Sequence, residues 1–350
     1  MSSNSNGSNH LPSLEEKLAF LHKPGSYPDS THKVDAIETH MSWVFLTAHH
    51  AYKLKKPLLR DEADMRSVAV RHHYCQEELR LNRRLAPDVY LDVVPLSVDW
   101  RGALHFGQGE QTVDWLVQMR RLPEQDMLDN AIRNMRVGAR DIVRVAQRLA
   151  EFYALCPPAG ISEPAYLAAL EYQIACNEHD LLSTDFGLDE NKVRALCSAQ
   201  RAALQTLHEP LAARVAGGMI VEGHGDLRPE HICIRPTVVV IDCLEFSRAL
   251  RLVDPVDELA FLALELERLF ANGYASLLLQ AYGRTSGDQV PPVLLHFYKS
   301  LRAAVRARLA IRHLAEARFR VSDECRRRAD SYLELAAQYQ NAISSVTDSP

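Results

Sequence analysis

The sequence has 350 residues, of which 47% are hydrophobic and 24% charged, and its formal net charge is −5. This length can hold one large bilobal domain or two ordinary domains, and the composition is typical of a soluble globular protein. The net negative charge argues weakly against nucleic acid as the main partner, and the lack of an apolar run of 18 residues argues against a membrane span. Seven cysteines without a Cys-x-x-Cys spacing indicate a reducing cytoplasm and no structural zinc site.

The hydrophobic pattern predicts a small β-rich part followed by a large helical part. Met1–His10 is polar and lacks the apolar core of a signal peptide, so it is predicted to be a disordered tail. The predicted elements of the first part are a helix over Leu14–Leu21, strands over Trp43–Leu46 and Ala51–Leu54, a helix over Met65–Leu85, and strands over Tyr90–Val98, broken by Pro95, and Thr112–Met119.

The second part is predicted to be mostly helical. Its predicted helices cover about 138–155, 164–182, 189–213, 255–270, 275–283, 291–317 and 323–345, with a β segment at 219–242. The pattern Asp254-Pro255, with Asp257 three residues after the N-cap, predicts a helix start with a structural role. The basic stretch Arg318–Arg328 is predicted to be a solvated surface.

The β segment carries a pattern typical of a phosphoryl-transfer site. Asp226 follows His224-Gly225 in a loop, and Asp242 follows four β-branched residues at the end of a predicted strand. One carboxylate can accept the proton of an attacking hydroxyl, while the other can hold the metal that neutralises phosphate charge. A carboxylate at the end of a buried strand is costly unless it is paired or bound to a metal.

Val221–Ile234 and Val238–Asp242 resemble the catalytic and metal loops of the aminoglycoside phosphotransferase family, a branch of the protein-kinase-like fold. Over residues 35–275 the resemblance extends to Glu38–Leu46, Ala51–Pro57, Glu77–Pro87, Met119–Pro123 and Asp242–Phe246. Together these segments resemble the bacterial branch that is often fused to a P-loop ATPase domain. No Gly-x-x-x-x-Gly-Lys-Ser/Thr occurs in this sequence, so that ATPase is not expected here.

The resemblance implies an α+β, protein-kinase-like bilobal fold with a β-rich N-lobe and a helical C-lobe. The expected boundaries are a tail over 1–12, a nucleotide-binding N-lobe over 13–121, and a C-lobe over 122–346 that carries the catalytic loop and the acceptor site. Variable helices of the C-lobe, here about 160–215 and 270–320, are expected to form the acceptor pocket.

In this family the Asp226 position supplies the catalytic base and the Asp242 position holds the metal. The alternatives are that Asp226 only caps its own loop and that Asp242 is a salt-bridged strand end. His224 is expected to brace the loop. Arg228 can meet a phosphate or a substrate carboxylate, or it can pair with Glu230 or Glu245.

His231 departs from the family pattern, because kinase-like loops carry a metal-binding Asn five residues after the catalytic Asp. A neutral imidazole can bind a metal, but magnesium prefers oxygen. A site with His at this position can work in three ways. The reaction can need only one metal ion, Glu230 or Glu245 can supply the missing oxygen ligand, or the preferred ion can be softer than magnesium, such as manganese. The alternative is that His231 only orients the loop through hydrogen bonds.

Lys53 is the candidate for the strand lysine that contacts nucleotide phosphates. Ala51 lies on the same strand face and leaves room for an adenine ring, as in the Val-Ala-Ile-Lys pattern. Lys55 shares that face and is the rival, whereas Lys56 points away. The alternative is a basic cluster that protects an exposed edge strand.

The lysine needs an acidic partner on the following helix. Glu78 is the first candidate and Glu77 the second, because one residue turns a helix by about 100°. Ser42 is assigned to the short, glycine-poor loop that takes the place of a Gly-x-Gly-x-x-Gly loop, and Met119 to the hinge of the nucleotide site.

The sequence therefore predicts a cytoplasmic phosphotransferase that uses ATP (or GTP) and Mg²⁺ (or Mn²⁺) to phosphorylate a hydroxyl of an unidentified small molecule. No nucleic-acid or membrane partner is expected. Two other functions stay open. One is a catalytically silent nucleotide-binding regulator, and the other is a metal-dependent hydrolase built on His224, Asp226, His231 and Asp242.

Overall fold

The computed structural model describes residues 11–60, 63–183, 187–312 and 323–347. These residues form two compact units. The first comprises the described residues up to Asp126 together with Val239–Arg248, and the second comprises Met127–Val238 and the described residues from Ala249 onward. Met1–His10 and part of the basic stretch Arg318–Arg328 lie outside the described residues.

The strands of the described chain are β1 Asp35–Glu38, β2 Ser42–Leu46, β3 His50–Lys55, β4 Leu59–Arg60, β5 Ala63–Asp64, β6 Tyr90–Val98, β7 Leu104–Phe106, β8 Gln111–Arg120, β9 Val221–Glu222, β10 Ile232–Cys233, β11 Val239–Val240 and β12 Leu252–Val253. The α-helices are α1 Leu14–Leu21, α2 Val68–Asn82, α3 Leu128–Arg133, α4 Ala139–Leu155, α5 Glu163–Leu181, α6 Glu190–Thr206, α7 His208–Ala216, α8 Pro255–Arg268, α9 Asn272–Ser286, α10 Pro292–Arg312 and α11 Asp323–Thr347.

The first unit is built on an antiparallel sheet with the strand order β1-β2-β3-β8-β6-β7. Successive side chains of a strand point to opposite faces of the sheet. On β3, Tyr52 and Leu54 therefore pack in a core with Leu21 of α1, whereas Ala51 packs in another core with Leu79 of α2. The same alternation places Lys53 and Lys55 on the α2 side of the sheet.

Two differences between the first unit and the sequence prediction have a local physical reason. Helix α2 begins at Val68 rather than Met65, because the Ser67 side chain caps it by accepting a hydrogen bond from the Val70 N–H at 3.2 Å. Strand β6 continues through Pro95, which pairs with Trp115. Strand β7 pairs only with the stretch after Pro95, so the missing N–H is tolerated at a position with one neighbouring strand.

The second unit is mainly helical, and α8 is its central element. Residues Pro255–Leu266 of α8 are buried throughout. Asp254 is its N-cap, as predicted, and accepts a hydrogen bond from the Val256 N–H at 2.9 Å. Arg214 also grips Asp254 with two hydrogen bonds of 2.7 and 2.5 Å. The capping carboxylate is thus paired as well as buried, as a buried charge requires.

The predicted helix 189–213 is instead two helices, α6 and α7, which meet at Leu207. Pro210 explains the break, because proline has no N–H to donate to the carbonyl one turn earlier. None of the described helices is both long and apolar enough to cross a lipid bilayer.

Candidate active site

In the first unit, the Lys53 ammonium joins the helix glutamate to the strand-end aspartate. Its Nζ donates to Oε1 of Glu78 at 2.8 Å and to Oδ1 of Asp242 at 2.6 Å. The carboxylate of Glu77 accepts hydrogen bonds from Arg80 instead, at 3.0 and 2.7 Å. The structure therefore brings together Lys53, Glu78 and Asp242, with Glu78 rather than Glu77 as the partner of the lysine.

The rival lysine, Lys55, contacts the same glutamate through the other oxygen. Its Nζ donates to Oε2 of Glu78 at 2.5 Å and to the carboxylate of Glu245. The Lys55 side chain is 1% exposed and that of Lys53 is 12% exposed, while Asp242 beside Lys53 is 46% exposed. Lys53 thus lies at the accessible end of this group of ion pairs and Lys55 at its buried end. Lys56 pairs with Glu38 at 2.6 Å.

These contacts keep Lys53 and Glu78 ionised despite their burial. Burial raises the pKa of Glu78, but the ammonium groups of Lys53 and Lys55 lower it further, so the net pKa lies below the usual value. Burial lowers the pKa of Lys53, but Asp242 and Glu78 outweigh it and raise the pKa well above its ordinary value. Each buried charge is stabilised by an opposite charge within hydrogen-bonding distance.

The loop that carries Asp242 is held by backbone contacts that the sequence analysis missed. Asp242 has a left-handed φ of 64°, which Asp tolerates better than most residues. Its N–H donates to the Tyr90 hydroxyl at 3.1 Å, and the Cys243 N–H donates to the Asn82 side chain at 2.9 Å. Asn82 lies one helical turn after Glu78, so a helical-face pattern was the available signal.

The other residues assigned to the nucleotide site lie in the same sheet. Ala51 and Met119 are cross-strand partners on β3 and β8, and both are buried. Ser42 opens strand β2 opposite Lys55 and is 1% exposed. Its expected position in the loop is therefore wrong, because the Thr39 hydroxyl accepts the Ser42 N–H at 3.0 Å and the turn ends before Ser42.

In the second unit, Asp226 is gripped by the arginine two residues later. Arg228 donates from Nε to Oδ1 of Asp226 at 3.0 Å and from its second terminal nitrogen to Oδ2 at 2.8 Å. It also pairs with Glu230. The predicted pairing of Arg228 with Glu230 is thus present, whereas its contact with Asp226 was not foreseen. Glu245, the other partner considered, accepts from Lys55.

Both histidines of this loop brace its backbone. Nδ1 of His231 lies 2.8 Å from the Asp226 carbonyl oxygen, and Nε2 lies 3.1 Å from a terminal nitrogen of Arg228. Because Arg228 can only donate, this assigns the proton of a neutral imidazole to Nδ1. Nδ1 of His224 accepts the Asp226 N–H at 3.3 Å. This geometry corresponds to the loop-orienting alternative for His231 and to the bracing role expected of His224.

Glu258 of α8 fixes the backbone just before Asp226. Its carboxylate accepts the N–H of His224 at 2.9 and 3.0 Å, the N–H of Gly225, and the Tyr153 hydroxyl at 2.7 Å. A Cβ added to Gly223 would lie 2.5 Å from the Glu258 carboxylate, so only glycine fits there. Sequence reasoning placed Glu258 only at the start of a helix, because the groups that donate to its carboxylate lie more than 30 positions away.

The surroundings of Asp226 favour its ionised form. Burial raises the pKa of this carboxyl, but the positive charge of Arg228 and the contact with His231 lower it further, so the net pKa lies below the usual value. Asp226 is therefore a carboxylate at neutral pH, with 21% of its side chain exposed. A carboxylate in this form can accept a proton from an attacking hydroxyl.

The fold matches that of known phosphotransferases. A choline/ethanolamine kinase family protein of Mesorhizobium loti superposes with a TM-score of 0.57 and 17% identity, covering 94% of this chain and 96% of that chain. A choline kinase of Cryptosporidium parvum Iowa II also gives a TM-score of 0.57, with 11% identity over 95% of this chain and 96% of the other. This chain has the protein-kinase-like fold. The fold class implied by the sequence resemblance is therefore confirmed.

Among curated proteins, an uncharacterized protein of Mycobacterium tuberculosis is 30% identical over 282 residues. The alignment covers 79% of this chain and 54% of that protein, so the chain spans about half the length of this relative. No family model matches the sequence.

In this protein-kinase-like chain, the donor chemistry of Asp242 fits a magnesium ion. Magnesium prefers oxygen ligands, and proteins hold it through one or two carboxylates together with substrate phosphates. Asp242 offers a half-exposed carboxylate with one oxygen on Lys53. Within the described ranges, no group of three or more His, Cys, Asp or Glu side chains is arranged to hold a metal. A carboxylate that shares the ion with phosphates requires no such group.

Proposed function

We propose that this chain is an ATP-dependent phosphotransferase that transfers the γ-phosphoryl group to a hydroxyl of a small molecule. The observation that carries the proposal is the contact of Lys53 with both Glu78 and Asp242. A lysine between a helix glutamate and a metal-binding aspartate is the arrangement that kinases use to hold nucleotide phosphates. The fold shared with choline kinases supports the same reaction class.

Each residue has a defined part in the reaction. The Lys53 ammonium binds phosphate oxygens, and Glu78 keeps it in place. Asp242 holds Mg²⁺, which would neutralise charge on the phosphates. The oxygen of the acceptor hydroxyl bonds to the γ-phosphorus, and its proton passes to Asp226. At the same time the bond between the γ-phosphorus and the leaving oxygen of ADP breaks. His231 orients the loop around Asp226 rather than binding metal.

The acceptor belongs to the chemical class of alcohols. The structural neighbours reported above are a choline/ethanolamine kinase family protein and a choline kinase, and choline and ethanolamine are small alcohols. A carboxylate base such as Asp226 suits a hydroxyl, because it orients the oxygen and takes up one proton. We also propose that the protein acts in the cytoplasm, which supplies ATP.

One observation favours a second function, a catalytically silent nucleotide-binding regulator. Arg228 donates to both oxygens of Asp226, and so competes with an acceptor hydroxyl for the base. In a regulator this pair would stay closed. In an enzyme, the acceptor hydroxyl shares the carboxylate with Arg228, because each carboxylate oxygen can accept more than one hydrogen bond.

The test compares the wild type with Asp226→Asn, using ATP affinity by calorimetry and slow ATP hydrolysis by phosphate release. A general base contributes about 10²- to 10⁴-fold in rate, so Asp226→Asn should lose at least about two decades of turnover. Its ATP affinity should stay near that of the wild type. Asp242→Asn is the matched control, because it should lose the metal-dependent part of ATP affinity instead.

Two results would separate the candidates. Equal hydrolysis rates in the wild type and Asp226→Asn, with intact ATP binding, would favour the silent regulator. Failure of the wild type to bind ATP with either Mg²⁺ or Mn²⁺ would refute both nucleotide-dependent functions.

A further inference from the structure

The ion-pair cluster of the first unit contains a lysine that the proposed reaction does not use. We define the cluster as Lys53, Lys55, Glu78, Asp242 and Glu245. Its two lysines face three carboxylates, and Glu78 gives one oxygen to each lysine. The arrangement is a chain of contacts that runs from Asp242 through Lys53, Glu78 and Lys55 to Glu245.

The position of Lys55 rules out direct contact with a ligand. Its side chain is 1% exposed, and both contacts of its Nζ go to carboxylates that are nearly buried, Glu78 at 0% and Glu245 at 8%. A lysine buried at this cost has to be stabilised by its partners, and in turn it fixes them. Burial lowers the pKa of Lys55, but Glu245 and Glu78 outweigh it and raise the pKa above the ordinary value. Lys55 is therefore charged at neutral pH.

The two carboxylates that Lys55 holds belong to different elements. Glu78 lies on α2, and Glu245 lies three residues after Asp242 in the same loop. Lys55 thus ties the loop to both β3 and α2. The Asn82 contact to the Cys243 N–H adds a backbone tie between α2 and the same loop.

We propose that Lys55 is a positioning residue that anchors the Asp242 loop through Glu245 and turns Glu78 toward Lys53. The inference rests on the proposed function, because it assigns the anchored carboxylate to metal binding. Without Lys55, Glu78 keeps only one lysine and can rotate, and Glu245 loses its hold on β3. Asp242 then presents its carboxylate in many orientations, which lowers metal affinity more than nucleotide affinity.

The variants are Lys55→Met and Glu245→Gln, with Lys56→Met and Glu38→Gln as matched controls. Lys56 is the next lysine along the chain, is also buried, and pairs with Glu38 at 2.6 Å. Glu245→Gln keeps the size of the side chain and removes only its charge. If Lys55→Met fails to fold, Glu245→Gln alone tests whether the Lys55–Glu245 pair anchors the loop. Lys55→Arg is the rescue variant, because it restores the positive charge.

The first measurement is amide hydrogen exchange of Val239–Arg248 in the free protein. Exchange reports local opening, and we expect it to rise about ten-fold or more in Lys55→Met and Glu245→Gln but not in the controls. Exchange that stays at the wild-type level in both variants would overturn the proposal.

The second measurement is calorimetric affinity for a non-hydrolysable ATP analogue, with and without Mn²⁺. The affinity with Mn²⁺ should fall about ten-fold or more in Lys55→Met, while the metal-free affinity stays within about two-fold. Equal loss of both affinities would overturn the proposal and make Lys55 a general support of the fold. If the wild type binds no analogue, the proposed function fails, and the exchange measurement still decides whether Lys55 anchors the loop.

Discussion

The two candidate aspartates, Asp242 in the first unit and Asp226 in the second, are held in opposite ways. Asp242 is bound by Lys53, which lies 189 positions away, and its loop backbone by Tyr90 and Asn82, 152 and 161 positions away. Asp226 is bound by Arg228, two residues along the same loop, and its carbonyl by His231, five residues along. The Asp242 loop is fixed by distant elements, whereas the Asp226 side chain is fixed from within its own loop and only the backbone before it is held by Glu258 of α8.

The charged partners differ as well. A lysine ammonium is a compact charge on a flexible chain and exchanges partners readily, whereas an arginine grips both oxygens of a carboxylate in a fixed plane. In the proposed function, Lys53 would therefore pass from Asp242 to a phosphate of the nucleotide. Arg228 instead holds Asp226 in one orientation. The comparison indicates that the contacts around Lys53 in the first unit are suited to change and those around Asp226 in the second unit are suited to persist.

Lys53→Met should remove the charge that changes contacts and should have the largest effect, a loss of ATP affinity. A hydrogen bond to a charged group contributes about 1.5–3 kcal/mol, so ATP affinity should fall roughly 10- to 150-fold. Titration calorimetry with ATP and Mg²⁺ measures this, and circular dichroism checks that the fold is kept. A Lys53→Met protein that binds ATP as the wild type does would remove Lys53 from the nucleotide site.

Glu258→Gln should loosen the Asp226 loop, because it weakens the contacts of that loop with helix α8. An amide offers one acceptor oxygen and places N–H donors against backbone N–H groups, so the free energy of unfolding should fall by about 1–3 kcal/mol. Tyr153→Phe removes a single donor to Glu258 and should cost about 0.5–1.5 kcal/mol. Urea unfolding measures both. Equal losses in the two variants would contradict the role given to the His224 and Gly225 contacts.

Arg228→Gln should shift the pH dependence of ATP hydrolysis without abolishing it. Arg228 lowers the pKa of Asp226 and burial raises it, so removing the guanidinium moves the pKa upward. The base is active above its pKa, so the acidic limb of the rate profile should move to higher pH. In the wild type, the stability that Asp226 contributes should be present above the ordinary Asp pKa of about 3.9 and lost as the pH falls through the lower folded pKa.

The measurement for Arg228→Gln is the rate of phosphate release across a pH series, with Arg80→Gln as the control. Arg80 pairs with Glu77 on the exposed part of α2. An acidic limb that stays in place in Arg228→Gln, or that moves equally in both variants, would show that Arg228 does not set the pKa of Asp226.

The sequence predicted local features better than distant ones. The helix Leu14–Leu21, the Asp254 cap and the β3 face that carries Ala51 and Lys53 follow from side-chain spacing and capping chemistry, and the structure contains all three. The two lysines on one glutamate could not be foreseen. Strand alternation places Lys53 and Lys55 on one face, but only the packing of α2 shows that Glu78 lies between them.

The loop that carries Asp226 also shows that sequence reasoning finds near contacts and misses distant ones. The Arg228–Glu230 pair was within reach of sequence reasoning, because it needs only two residues in one turn. The contacts of Glu258 with His224 and Gly225 join residues 34 and 33 positions apart. A glutamate in the first turn of a helix has an ordinary capping explanation, which conceals such a role.

The left-handed backbone of Asp242 has an evolutionary consequence. Asn and Gly are the residues that adopt this conformation most readily, and neither carries a negative charge. On the proposed function, a substitution to either one removes the carboxylate that would hold the metal and leaves the turn unstrained. If the chain is the phosphotransferase proposed above, one such substitution would end catalysis and keep the turn, which is a short path from enzyme to pseudoenzyme.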